Sequence, residues 1–193
     1  MSTAVHPVSR SGASDLAHVA VFAALIAALS LAPSVAFGPV PITLQTLGVA
    51  LAGLCLGPWR GSLACLLYVV VGLAGVPVFA QGRSGLGVLA GPSAGYLLAF
   101  PLAAVVTGLV ARWVVRRGMT PLTPVLLVAG VALARAAVIW PLGSLLMARA
   151  LGIPWSKAAV ADLAFWPGDS IKAVIAALLA TAVHKAFPRL LGR

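Results

Sequence analysis

Asp169 and Lys172 stand three residues apart in the stretch FWPGDSIKAVIAALLA, residues 165–180, at the head of a long apolar run. The 193-residue chain has only three acidic residues, Asp15, Asp162 and Asp169, so a carboxylate here is a scarce group. On a helix, residues i and i+3 share a face, and the pair would present an acceptor beside a donor. Pro167-Gly168 before the run predicts Asp169 at or near the helix N-cap, where a carboxylate satisfies orphan amides and the positive helix end. Lys172 does not fit that explanation, because a cation in a first turn opposes the helix dipole. One reading is mutual neutralisation, with the lysine reaching out to the interface. The other is a site for a small ligand that carries its own N–H donor and its own anionic end. Ionisable groups in membrane segments are functional candidates by default.

The elements that must hold this pair follow from composition. The chain is 62% hydrophobic and 8% charged, against about a quarter charged in a soluble domain. It is an all-α, polytopic membrane protein by this measure, one integral domain over 1–193 with a short cytoplasmic tail at 1–15. Six spanning helices are expected, at 16–35, 44–58, 61–79, 93–115, 122–148 and 162–186, each near the roughly 20 residues a crossing needs. The second is short. Ser34-Val35-Ala36 resembles a signal-peptidase site behind an apolar core, but the run is long for a cleaved signal and is read as retained.

The net charge of +10 does not mark a nucleic-acid protein, because the basic residues form no continuous face and instead punctuate the apolar runs. With both termini cytoplasmic, Arg10, Arg60, Arg112, Arg116, Arg117, Lys185, Arg189 and Arg193 fall inside. Arg83, Arg149 and Lys157 fall outside, and Arg135 and Lys172 lie within helices. That distribution obeys the positive-inside rule and puts Asp169 near the outer face. Inner turns are short, as in GPWRG at 57–61. The outer connections at 32–46, 76–96 and 152–168 are long, rich in proline and glycine, and nearly uncharged. Such loops are usually lids, binding loops or disorder, their lack of charge argues against disorder, and they converge with Asp169 and Lys172 on one outer mouth.

Other chemistries find little support. Cys55 and Cys65 lie in apolar stretches and make neither a disulfide framework nor a metal site. The scattered acids and histidines offer no metal cluster, no cofactor motif is present, and no GxxxxGK[ST] occurs, so any ATP-driven step must come from partners. GPSAG at 91–95 matches the G-x-S-x-G of serine hydrolases, with Ser93 as nucleophile. His6, His18 and His184 are all expected on or near the cytoplasmic side, most of a bilayer away, so an enzyme is not the reading adopted. On the first helix, Ala20, Ala24 and Ala28 recur every four residues, as do Ala23 and Ala27, a small-xxx-small pattern that permits close helix approach in lipid. Arg135, close to the middle of the fifth helix, either bonds backbone carbonyls in the bundle or adds a second cation near a ligand's tail.

Four blocks carry a family resemblance: PVPITLQTLGVALAGLCLGPWRG at 39–61, YVVVGLAGVPVFAQGRSGLGVLAGPSAGYLLAF at 68–100, the FWPGDSIKA block, and the apolar first helix. The chain resembles the biotin-specific substrate-binding (S) component of energy-coupling-factor (ECF) vitamin importers, the BioY family. The PVP-x-TLQ loop, the GPxxG turn and the late PGDxxK are its specific parts. The resemblance implies the six-helix S-component fold in the bacterial cytoplasmic membrane and high-affinity capture of biotin. It also implies transfer with a transmembrane coupling subunit and a pair of ABC-type ATPases. Asp169 would accept a ureido N–H. Lys172 would pair with the carboxylate or bond the ureido oxygen, with Arg83, Gln45 and Tyr96 as further contacts. The alanine face of the first helix would meet the coupling subunit. A carrier for another vitamin is the alternative within this architecture, an intramembrane hydrolase the alternative outside it. Homo-oligomer formation stays open.

Overall fold

The computed structural model describes residues 10–35, 38–188 and 190–191. The 1–9 portion of the tail, Ala36, Arg189 and Arg193 lie outside them, as does the Arg10 side chain. Among the described residues all regular secondary structure is helical, apart from isolated bridges at Val35–Ile42 and Phe79–Arg83. The helices are α1 (Arg10–Leu31), α2 (Gln45–Leu73), α3 (Ala94–Arg116), α4 (Thr123–Ala134), α5 (Trp140–Leu151), α6 (Trp155–Asp162) and α7 (Trp166–Ala186).

Among the described residues five helical segments, not six, are long and apolar enough to cross a bilayer: Gly12–Leu31, Gln45–Leu73, Ala94–Arg116, Thr123–Leu151 and Trp155–Ala186. The expected spans at 44–58 and 61–79 belong to the single element α2. Each of its arms is shorter than the roughly 20 residues of a full crossing. The arms meet at Gly57, whose φ of 81° and ψ of −178° only glycine adopts easily, with Pro58 following. There the chain reverses. Gln45 Nε2 donates to Tyr68 Oη at 2.6 Å, a contact that a straight helix would place far out of reach. Close approach is bought by small residues, since a Cβ on Gly61 would lie 2.6 Å from the Ala52 carbonyl, and one on Gly108 of α3 only 2.4 Å from Pro58 N.

The expected fifth span is continuous from Thr123 to Leu151 but contains a π-helical turn, Arg135–Ile139, between α4 and α5. Pro141 lacks the N–H that would bond the carbonyl four residues back, which accounts for a widened turn just before it. Gly152, left-handed at φ 64°, ends α5. The segment 152–168, expected as a loop, is mostly helix. Pro154 leads into α6, and the short 3₁₀ turn Leu163–Phe165 joins it to α7. Its SKAAVAD run holds good helix formers, and tryptophan hydrogen bonds tie it down: Trp140 Nε1 to the Ala159 carbonyl (3.2 Å) and Trp155 Nε1 to Ser144 Oγ (2.9 Å).

The molecule has two chemically different ends. At one, Arg60 Nη1 pairs with Asp15 at 3.0 Å, Arg60 also donates to the Leu190 carbonyl, and Gly57 faces Leu191 and Arg112. At the other lie the starts of α2 and α7 and the long loops. Phe79 and Val88 of loop 74–93 are buried. The Phe79 ring sits where Gly72 leaves room, because a Cβ there would come within 2.2 Å of it. The loop is anchored rather than loose.

Candidate functional site

Asp169 is held by side chains and caps nothing. The helix begins at Trp166, with Pro167 in the first turn and no side-chain cap bond, so the expected N-cap role is corrected. Proline suits the first turn because its missing N–H would have no partner there, and this shifts the helix start upstream of Asp169. One carboxylate oxygen, Oδ1, accepts from Thr46 Oγ1 at 2.8 Å and from Lys172 Nζ at 3.0 Å. Lys172 Nζ also donates to Thr46 Oγ1 at 3.2 Å. The other oxygen, Oδ2, accepts from Arg135 Nε at 2.8 Å.

Arg135 continues the network. Its Nη2 donates to Asp162 Oδ2 at 2.5 Å, and its guanidinium carbon stands 5.6 Å from the Trp166 ring centroid, within cation–π range. Asp162 is fully buried and also accepts from Tyr96 Oη at 2.6 Å and Trp166 Nε1 at 3.3 Å. Two cations and two carboxylates thus join α2, α3, the π turn, α6 and α7 through ion pairs and short hydrogen bonds. The expected bonding of Arg135 to backbone carbonyls gives way to this. The arginine bonds carboxylates, not backbone carbonyls, and its charge is already matched.

Of the residues singled out from sequence, Gln45, Tyr96, Asp169 and Lys172 line one cleft together with Arg135. Arg83 lines a neighbouring cleft, which shares Gln45, Tyr96, Val40 and Phe100 with the first. There Arg83 Nη2 donates to Ser93 Oγ at 3.1 Å, while its Nε is buried without a hydrogen-bond partner. Among the described residues Arg83 makes no ion pair. The hydrolase reading of Ser93 loses its geometry. Ser93 precedes α3 after 3₁₀ turns rather than a strand, and His184 bonds the Leu54 carbonyl near the opposite end. His18 lies beside Ser14 at that end, and His6 lies outside the described residues.

Sequence reasoning missed Thr46, Asp162 and Trp166. Asp162 carried a signal, as one of three acids in an apolar chain that also holds an unexplained buried arginine. Thr46 carried none beyond its place beside Gln45. On α1 the two alanine stripes separate: Ala20, Ala24 and Ala28 are exposed, whereas Ala23 is buried with Val19 and Ile26.

The BioY family model matches residues 1–189. This chain belongs to the BioY family. It is 41% identical to the biotin transporter BioY of Rhizobium etli, over 93% of this chain and 97% of that one. It is likewise 41% identical to the biotin transporter BioY of Rhodobacter capsulatus, over 88% and 93%. Its fold matches a crystal structure of the S-component for biotin from an ECF-type ABC transporter. The TM-score is 0.84 at 26% identity, covering 93% of this chain and 95% of that one.

The network makes a stability prediction. Asp162→Asn leaves Arg135 facing an amide inside the bundle. Breaking one side of a buried pair costs about 3–5 kcal/mol. Tyr96→Phe removes one donor to a carboxylate that keeps two others, a loss of about 1.5–3 kcal/mol at most. Thermal unfolding of the purified variants in detergent should rank them in that order. The double variant Arg135→Met/Asp162→Asn should lose less than the sum of its single changes.

Proposed function

We infer that this BioY-family chain captures biotin and serves as the substrate-specific subunit of an ECF-type ABC importer. The observation that carries the reading is the pair of adjoining clefts, with a neutralised ion cluster at one end and an unmatched arginine at the other. Biotin has the complementary plan: a neutral ureido group with two N–H donors and a carbonyl, an apolar bicycle, and a carboxylate on a flexible chain. Asp169 accepts a ureido N–H and Lys172 donates to the ureido oxygen, while Gln45 and Tyr96 flank the bicycle. Arg83 takes the carboxylate, since Lys172 is already paired with Asp169 and Arg83 has no acid. The clefts hold only about 50 and 30 Å³, so the loops over them part to admit the ligand and close on it.

The chain works in the cytoplasmic membrane with both termini inside. Support comes from the reversal at Gly57 and from the gathering of Asp15, Arg60, Arg112 and Leu190 at the end opposite the clefts, in keeping with positive-inside bias. A coupling subunit docks on the exposed Ala20/Ala24/Ala28 face and connects the chain to an ATPase pair.

Equilibrium binding of radiolabelled biotin to the purified protein tests the reading. Asp169→Asn exchanges a charge-assisted bond for a neutral one, worth about 1.5–3 kcal/mol, or about one to two decades of affinity. Arg83→Gln should weaken biotin but leave a neutral biotin amide nearly unaffected, whereas Lys172→Met should weaken both alike. Folded variants with unchanged affinities would remove the site assignment. Docking is separable, because Ala24→Trp should abolish co-purification with the coupling subunit and leave biotin affinity within twofold. Topology has its own readout. Trp59 is 69% exposed at the turn and both native cysteines are buried, so Trp59→Cys should react with an impermeant thiol reagent only after cells are permeabilised. Labelling in intact cells would reverse the orientation.

A further inference from the structure

A third cavity, of about 190 Å³, lies between α4 and α7 below the ion cluster. Its roof is Arg135, Asp169 and Lys172, and its depth is formed by Ala103 and Thr107 of α3 and Val128 of α4. The rim differs from that of the loop-covered clefts. Ala132 and Val174, which line the cavity, are exposed on the outer surfaces of α4 and α7. Both belong to segments long and apolar enough to cross a membrane. The opening therefore faces hydrocarbon, not the loop-covered mouth.

The lining selects the occupant. Water needs about two to four polar partners in a buried site. The deep end offers at most one acceptor, because the one hydroxyl there, Thr107 Oγ1, already donates its proton to the carbonyls of Ala103 (3.0 Å) and Ala104 (3.2 Å). This apolar deep end stays dry, and left empty it forfeits dispersion contacts along its walls. A flexible apolar chain entering from the side restores them. At the roof the need is the reverse. Arg135 is 6% exposed, and its Nη1 has no hydrogen-bond partner even though Nε and Nη2 are both engaged. A guanidinium N–H left unpaired in a low-dielectric site calls for an acceptor oxygen.

We propose that this lateral cavity is a lipid site, holding one acyl chain of a membrane phospholipid with an ester or phosphate oxygen turned toward Arg135 Nη1. The tryptophan beside it fits that depth. Trp166 lines the same cavity at the start of α7, and tryptophan is enriched where hydrocarbon meets the headgroups. The proposal rests on the membrane orientation and ligand clefts argued above. It adds that the ion cluster separates two sites, with substrate on the loop side and lipid on the membrane side. Arg135 and Asp169 would then feel the occupancy of both.

The test uses a phospholipid with a photoactivatable group at the acyl terminus, reconstituted with the full chain in nanodiscs. Labelled residues are mapped by mass spectrometry. Annular lipid reaches any exposed position, so the informative sites are buried ones. Ala103, Thr107 and Ala173 line the cavity and should be labelled at least fivefold above Ala111 and Ala176, which are equally buried outside it. Ala132→Phe, which fills the rim, should remove most of that labelling while biotin affinity stays within twofold of wild type. Saturating biotin should leave labelling of the wild type in place. Equal labelling of lining and control positions would overturn the lipid site. Displacement of the label by biotin would also overturn it, and would assign the cavity to the substrate. Biotin binding measured on the same nanodiscs keeps the functional reading separate, because loss of that binding with labelling intact would fault the ligand assignment alone.

Discussion

The structure turns on one constraint: charges buried in an apolar bundle have to be matched where they stand. Asp162, Arg135, Asp169 and Lys172 form an alternating row, acid to base to acid to base, with contacts of 2.5, 2.8 and 3.0 Å. Away from water each ion would carry a desolvation cost of several kcal/mol, and only close pairing with extra hydrogen bonds offsets it. Each carboxylate has those extra bonds, from Tyr96 and Trp166 at Asp162 and from Thr46 at Asp169. The row is therefore not a local ornament of α7. It requires five parts of the chain to arrive in register.

The way they arrive explains the backbone irregularities. Thr46 reaches Asp169 because α2 starts at this end, and Gln45 beside it reaches Tyr68 only because Gly57 turns the helix back on itself. Arg135 sits at the first residue of the π turn, where the extra residue per turn re-aims a side chain that an uninterrupted α-helix would place elsewhere. Tyr96 can approach Asp162 because Gly143 leaves room for its ring, since a Cβ there would come within 2.5 Å of it. Glycine and proline positions that would weaken isolated helices are here the means of bringing polar groups together.

How far this was legible in the sequence depended on whether the information was local. Asp169 and Lys172 were visible because i and i+3 on a helix are neighbours whatever the fold. The all-helical membrane class followed from composition, and the family from blocks of contiguous residues. Long-range pairing left no such trace. Arg135 was plainly anomalous, yet nothing local could say that its partners lay 27 and 34 residues onward. The expected cap at Asp169 fails for a local reason, because Pro167 fits inside the first turn instead of preceding the helix. The six expected spanning helices came out as five long apolar ones, with two of them merged in α2, because hydropathy marks apolar lengths. Whether a glycine between two of them ends one helix or folds it back is a matter of backbone dihedrals.

The arrangement of charge also bears on why a biotin-like ligand suits the proposed site. Two cations against two carboxylates leave the cluster formally neutral before anything binds. A neutral ureido group can then exchange hydrogen bonds with Asp169 and Lys172 without leaving an excess charge in a low-dielectric site. A carboxylate placed there would add an unmatched negative charge and compete with Asp169 for its own partners. At the other cleft the balance is reversed. Arg83 brings a positive charge and a buried, unpartnered Nε with no acid beside it, so an incoming carboxylate completes a pair. A ligand that is neutral at one end and anionic at the other leaves both clefts balanced, while one bound in the reverse sense leaves both unbalanced. In the proposed site, charge balance would thus set the ligand's orientation before shape is considered.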